Sequence, residues 1–274
     1  MTARLRPLLL LLLLTTAIAA AAAPKAELWQ YWLPSATVAE TGVDHTPWQR
    51  FLDRRLHKGA DGISRVDYGG VTAGERAGLA AYLEQLQRIR PARLTRPQQL
   101  AFWINLYNAG TLQLILDHYP VASIRDIDIS PGLFSDGPWG RKLFRIDGQA
   151  LSLDDIEHRI LRPIWNDNRI HYAVNCASVG CPNLQPRAFT AANAGRLLEQ
   201  AAREYINHPR GARVEDGRLY VSSIYRWFQE DFGASEAGVI RHLRRYANAP
   251  LRRQLEGIDG IADDDYDWSL NDLR

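Results

Sequence analysis

Apolar side chains recur every three or four residues along some stretches of this chain and alternate along others, and the two periods divide it into elements. Leu79, Leu83 and Leu86 set a helix over 73–90. Trp48, Phe51, Leu52 and Leu56 set an earlier one, with Thr46 as its N-cap and Pro47 in the first helical position. The strongest helix opens at Thr95, with Pro97 in its first turn. It carries Leu100, Trp103, Ile104, Tyr107, Thr111 and Leu114 as far as Tyr119, where Pro120 stops it. Asp147 and Gly148 turn a hairpin between 143–146 and 149–151, and Asp216 and Gly217 turn a second between 212–215 and 218–221. Ser152 with Asp155 forms a capping box and starts a helix through Ile156, Ile160 and Leu161, which Pro163 should end. Residues 169–175 alternate and read as a strand. Helices are expected over 190–207, around Tyr225, Phe228 and Phe232, and over 236–247. The pattern describes an α+β fold with helices in the majority and a small mixed or antiparallel sheet. It fills one domain over 45–274, behind an aromatic lead-in at 24–44.

The first 23 residues differ from the rest. Arg4 and Arg6 precede an apolar run from Leu8 to Leu14 and an alanine-rich stretch up to Pro24. This is the layout of a secretory signal peptide, with cleavage expected between Ala19 and Ala23. The apolar run is short for a bilayer span, and no cysteine follows it to take a lipid. A periplasmic or secreted protein with no stable membrane span follows, its partner an unidentified substrate or protein of the cell envelope. Lys and Arg total 33 against 31 Asp and Glu, and loss of Arg4 and Arg6 leaves the two signs equal. A chain without net charge has no bulk electrostatic reason to seek nucleic acid. Phosphate-binding, dinucleotide and Gly-x-Ser-x-Gly signatures are absent from the sequence, which argues against kinase, NAD-enzyme and serine-hydrolase chemistry.

The candidate chemistry gathers in three places. Asn105 and Asn108 stand three apart in an otherwise apolar helix, where an amide needs partners. They either pin a neighbouring loop or line a pocket. Glu157 and His158 follow a helix start, although adjacent helical positions point about 100° apart and should not share one pocket. His171, Asn175, Cys176, Ser178 and Cys181 lie in one run, with four residues between the cysteines. In an oxidising compartment Cys176 and Cys181 would close a local disulfide. Alternatively Cys176, where a strand passes into a loop, is placed for nucleophilic work, with His158 or His171 as base and loop amides to stabilise thiolate and oxyanion. Zinc at His171, Cys176 and Cys181, with His158 or His118 as fourth ligand, is disfavoured because the second cysteine pair of a structural site is missing. No cofactor is expected. The acidic tail at 263–272 has Trp268 where a calcium loop needs glycine, so Trp268 and Leu270 are expected to pack the chain end onto the body.

Together these motifs resemble those of the domain-of-unknown-function 547 family. The resemblance rests on Gln99–Ala109, Leu151–His158, Asn168–Ser178 with Gly180–Pro182, and the closing Tyr266–Asn271, in that order. It implies that Asn105, Asn108, Glu157, His158, His171, Cys176 and Cys181 act as one set, and it supplies no activity. From the residues, the expected function is a cysteine-dependent hydrolase or acyl transferase acting on an amide or ester. The alternative is a non-catalytic binding or scaffold protein whose Cys176–Cys181 bridge holds a loop.

Overall fold

The axis of the molecule is the helix at Arg96–His118, buried along most of its length from Gln99 to Leu116. Such all-round burial suits a helix with apolar residues on every side. Residues 24–38, 42–131 and 137–273 are described by a computed structural model. The expected signal segment, Met1–Ala23, lies outside the described residues. In chain order the regular elements begin with α1 (Thr46–Arg55), β1 (Leu56–Lys58), β2 (Ser64–Val66), α2 (Ala73–Gln87) and α3 (Arg96–His118). The hairpin β3 (Phe144–Ile146) and β4 (Gln149–Leu151) follows, then α4 (Arg162–Trp165) and α5 (Ala194–Ile206). The chain continues through β5 (Ala212–Glu215), β6 (Arg218–Ser222), α6 (Ile224–Trp227), α7 (Glu236–Tyr246), α8 (Ala249–Gln254) and β7 (Ile261–Asp265).

Helices dominate and the sheets are small, so the expected α+β class holds. β1–β2 and β3–β4 are antiparallel pairs, whereas β5–β6–β7 is mixed, with β7 parallel to β6. Both expected hairpins form, the turn residues Asp147 and Asp216 taking positive φ beside Gly148 and Gly217. α3 starts with the reciprocal bonds of a capping box between Thr95 and Gln98. Glycine at 110 lets the helix meet β3, since a Cβ there would lie 2.3 Å from the Phe144 ring.

Three sequence expectations are corrected. The cap of α1 is His45 instead of Thr46, with Asp44 Oδ1 accepting from the Thr46 N–H at 2.9 Å. The segment read as a strand at 169–175 is a 3-10 turn over Asn168–Tyr172. Its alternation was real in composition, but Ile170 and Tyr172 enter different clusters of the interior, which a helical turn achieves as well as a strand. Pro163 does not end its helix. The stretch Asp155–Leu161 is π-helical and runs directly into α4. The Arg162 N–H reaches back to the Glu157 carbonyl, and Pro163 offers no N–H to the carbonyls that follow. Those carbonyls are taken by the lead-in, with Glu27 N–H to His158 O at 2.9 Å and Trp29 N–H to Arg159 O at 3.0 Å. The lead-in is therefore part of the body, and its Trp32 is buried against Trp103.

Two hydrophobic clusters form the interior. The larger surrounds α1, α2, α3 and the β3–β4 hairpin; the smaller lies among the C-terminal half of α5, β5–β7 and α7. Ala194, Leu197 and Leu198 at the start of α5 face the first, and Ala201, Ala202 and Tyr205 face the second. The 3-10 turn and the cysteine loop after it follow the seam between them. Among the described residues no helix is long and apolar enough to cross a membrane.

Candidate active site

The cysteine loop is fixed from below by α3. Asn108 donates through Nδ2 to the Ala173 carbonyl at 2.8 Å and accepts at Oδ1 from the Asn175 N–H at 2.8 Å. Asn175 repeats the device inside the loop, donating to the Pro182 carbonyl at 2.8 Å and accepting from the Ala177 N–H at 2.9 Å. One amide thus ties both ends of the segment that carries the two sulfurs, while Ala177 adopts φ +61° to make the turn. Asn105 does the same for another strand of loop, exchanging two hydrogen bonds with the backbone of Phe189. Both asparagines are buried braces, and Asn108 is the one that positions the cysteine.

From above, the chain end folds across the loop. The N–H groups of Val179 and Gly180 donate to the carbonyls of Ser269 and Asp267, and Asn271 N–H donates to Ala177 O. Only glycine fits at 180, because a Cβ would lie 2.7 Å from the Asp267 nitrogen. This contact delivers Tyr266 to the sulfur, and Trp268 and Leu270 pack as expected.

Cys176 Sγ lies 3.1 Å from the Tyr266 hydroxyl, 3.2 Å from the Ser178 hydroxyl and 3.1 Å from Cys181 Sγ. Both cysteines are free thiols in this structure, Cys176 part-exposed and Cys181 buried. The Cys181 thiol as donor brings the Cys176 pKa down to about 7, against the cost of burial, with help from the hydroxyls of Ser178 and Tyr266 and the Ser178 N–H. Burial pushes Cys181 up, and the neighbouring Cys176 adds to it. One negative charge on the pair therefore sits on Cys176.

The two histidines belong to a second, ionic cluster. His171 Nε2 is 2.7 Å from Asp231 Oδ2, and its Nδ1 is 3.6 Å from Glu157 Oε1. Phe228 stacks on its ring at 4.4 Å. Arg162 shares Asp231 at 2.6 Å and donates to His158 Nδ1 at 3.0 Å. A guanidinium only donates, so His158 must carry its proton on Nε2, 3.6 Å from Asp154 Oδ1. Burial lowers the His158 pKa to about 4, keeping it neutral. Burial opposes charge on His171, but Asp231 and Glu157 outweigh it and raise that histidine. Burial would lift Glu157 and Asp231 too, yet their cationic partners hold each at about 2. For Asp154, burial with repulsion from Glu157 and Asp155 outweighs the pull of Lys142 and raises it to about 7. Glu157 and His158 thus turn into one cluster, contrary to the 100° expectation, because the wider π-helical turn carries both toward Arg162 and His171.

No hydrogen bond joins Cys176 to either histidine among the described residues. The two clusters are linked instead through shared neighbours. Phe228 packs on both histidines, and Trp227 beside it packs on Tyr266 at 4.9 Å and Trp268 at 5.6 Å. Trp268 meets Trp139, whose carbonyl accepts from the Asp154 N–H. Tyr107 of α3 is buried, and burial, with negative charge on Glu157, Asp154 and the two cysteines, pushes its pKa well up. A groove of about 360 Å³ passes Tyr266, Val179, Gly180 and Arg210. His171 faces Asp231 and Glu157, and among the described residues no group of three His, Cys, Asp or Glu side chains is arranged to hold a metal ion.

Sequence reading missed Tyr266, Arg162, Asp231, Asp154 and Tyr107 as members of this region. Tyr107 and Tyr266 each lay inside a motif already singled out, flanked by residues that attracted more attention. Arg162 and Asp231 carried no local signal at all. Residues 91–206 match the model of a family described as a protein of unknown function, DUF547. No curated protein and no solved structure matches the chain.

Proposed function

Starting from a chain whose residues 91–206 match the DUF547 family model, we propose that it is an exported thiol-dependent enzyme, a hydrolase or acyl transferase whose nucleophile is Cys176. The observation that carries the reading is the part-exposed Cys176 sulfur held by the Ser178 N–H, the Ser178 and Tyr266 hydroxyls and the Cys181 thiol. A loop braced at both ends by Asn108 and Asn175 holds that sulfur without needing a disulfide, which favours chemistry over a purely structural bridge.

In this mechanism the Cys176 thiolate adds to the carbonyl carbon of an ester or amide. Charge passes from sulfur to the carbonyl oxygen, and the Ser178 and Tyr266 donors follow it. The leaving group takes its proton from water at the part-exposed site. A second water then adds to the Cys176 thioester, losing a proton to solvent, and the acid leaves as the Cys176 thiolate is restored. His171, fixed between two carboxylates, positions this wall and does not transfer the proton.

The test is intact-protein mass after exposure to a panel of activated aryl esters, with product release followed alongside. One acyl adduct on Cys176, absent in Cys176→Ala, is expected. Equal ester turnover by the wild type and Cys176→Ala, with no adduct, would remove the proposal.

A further inference from the structure

The two sulfurs differ in every respect that separates an attacking from a resolving thiol. Cys176 is part-exposed, and Cys181 is buried behind it at 3.1 Å. Donors surround Cys176 on the outer side, whereas the Cys176 backbone N–H points at Cys181 Sγ, also at 3.1 Å. That amide is placed to steady negative charge on the inner sulfur as it forms. A disulfide needs sulfurs about 2 Å apart. The closing movement is thus near one ångström, within a loop whose ends Asn175 already ties together.

We infer that Cys176 and Cys181 form a reversible dithiol that reduces disulfides of small thiols or peptides, an activity separate from acyl transfer. It rests on Cys176 as nucleophile but not on any carbonyl substrate. In the first step the Cys176 thiolate attacks one sulfur of the substrate disulfide. A bond forms between that sulfur and Cys176, and the other substrate half leaves as a thiolate, which takes a proton from solvent. In the second step Cys181 gives its proton to solvent and attacks the Cys176 sulfur. The Cys176–Cys181 bond forms and the remaining half leaves as a thiolate, which takes a proton from solvent. Two electrons pass from the pair to the substrate, which ends as two thiols. The lowered pKa of Cys176 and the raised one of Cys181 agree with this order of attack.

The experiment uses the reduced full chain with oxidised glutathione as the probe, quenched in acid and read by intact mass and peptide mapping. Wild type is expected to lose two hydrogens and to retain no glutathione. Cys181→Ala and Cys181→Ser should each accumulate one glutathione on Cys176, with Cys176→Ala forming neither adduct nor bridge. Thermal melts of both Cys181 variants establish that they are folded. Wild type that holds as much glutathione as the folded Cys181 variants, and forms no internal bridge, would overturn the inference. So would first attack through Cys181. The acyl-ester assay fails or succeeds independently: adduct formation from esters without bridge closure leaves the acyl proposal standing alone, and closure without ester adducts leaves the dithiol alone.

Discussion

The hydroxyl of Tyr266 lies 3.1 Å from the sulfur of Cys176, although ninety residues separate them along the chain. The same hydroxyl is 2.9 Å from Ser178 Oγ, so three polar groups from the cysteine loop and the chain end form one contact. Burial pushes the Tyr266 pKa well up, so its hydroxyl keeps its proton and serves as donor.

Tyr266→Phe should therefore raise the pKa of Cys176. A hydrogen bond to a charged group contributes about 1.5–3 kcal/mol, which corresponds to a shift of roughly one to two units. The rate of iodoacetamide labelling against pH measures it. A profile unchanged from the wild type would mean that the tyrosine does not donate to the thiolate.

Asn108→Ala should destabilise the fold and loosen the cysteine loop together. It strands the Asn175 N–H and the Ala173 carbonyl in a buried setting, at about 1–3 kcal/mol each. Denaturant unfolding should report the loss, with Asn105→Ala as a comparison that costs stability but leaves the labelling of Cys176 closer to wild type.

Acid should weaken the protein in stages. Glu157 and Asp231 have folded pKa values lowered to about 2, so their stabilisation is full above the unfolded carboxylate range and is lost as pH falls toward 2. His158, depressed to about 4, acts in the same direction: the unfolded chain binds its proton from about pH 6.5 downward. His171 and Asp154 have raised pKa values and oppose the trend, because the folded chain binds their protons at a pH where the unfolded chain does not; Asp154 does so between about pH 7 and 3.8. Glu157→Gln should flatten the acid limb of a stability–pH curve. A wild-type curve that stays flat from about pH 4 down to 2, where Asp154 no longer opposes the loss from Glu157 and Asp231, contradicts the cluster.

Deprotonation of Cys176 near pH 7 also carries a stability sign. Its folded pKa is below the ordinary thiol value, so the contribution is complete above that ordinary value and fades as pH falls through about 7. Cys176→Ser should remove this slope between neutral and alkaline pH, which thermal melts across that interval can read.

Export predicts a processed N-terminus. The intact mass of protein recovered from the producing cells' envelope or medium should correspond to cleavage between Ala19 and Ala23. Membrane-bound protein that still begins at Met1 would contradict it.

The sequence by itself determined the elements whose causes are local. Capping at Thr95 and Ser152, the Asp-Gly hairpins, and the long apolar helix α3 all follow from residues within a few positions of each other. It also marked the asparagines, the histidines and the two cysteines as the chemistry-bearing set. Only the tertiary structure decided how that set divides. The 3-10 turn at Asn168–Tyr172 could pass for a strand because its residues serve two clusters, and no periodicity records which cluster a side chain enters. The passage through Pro163 depends on Glu27 and Trp29 supplying donors from more than a hundred residues away. The histidines went to Arg162 and Asp231, and the sulfur went to Tyr266, because charges and donors buried far apart in sequence must be satisfied where the chain brings them together. That requirement acts on positions in space, and a linear pattern holds no trace of it.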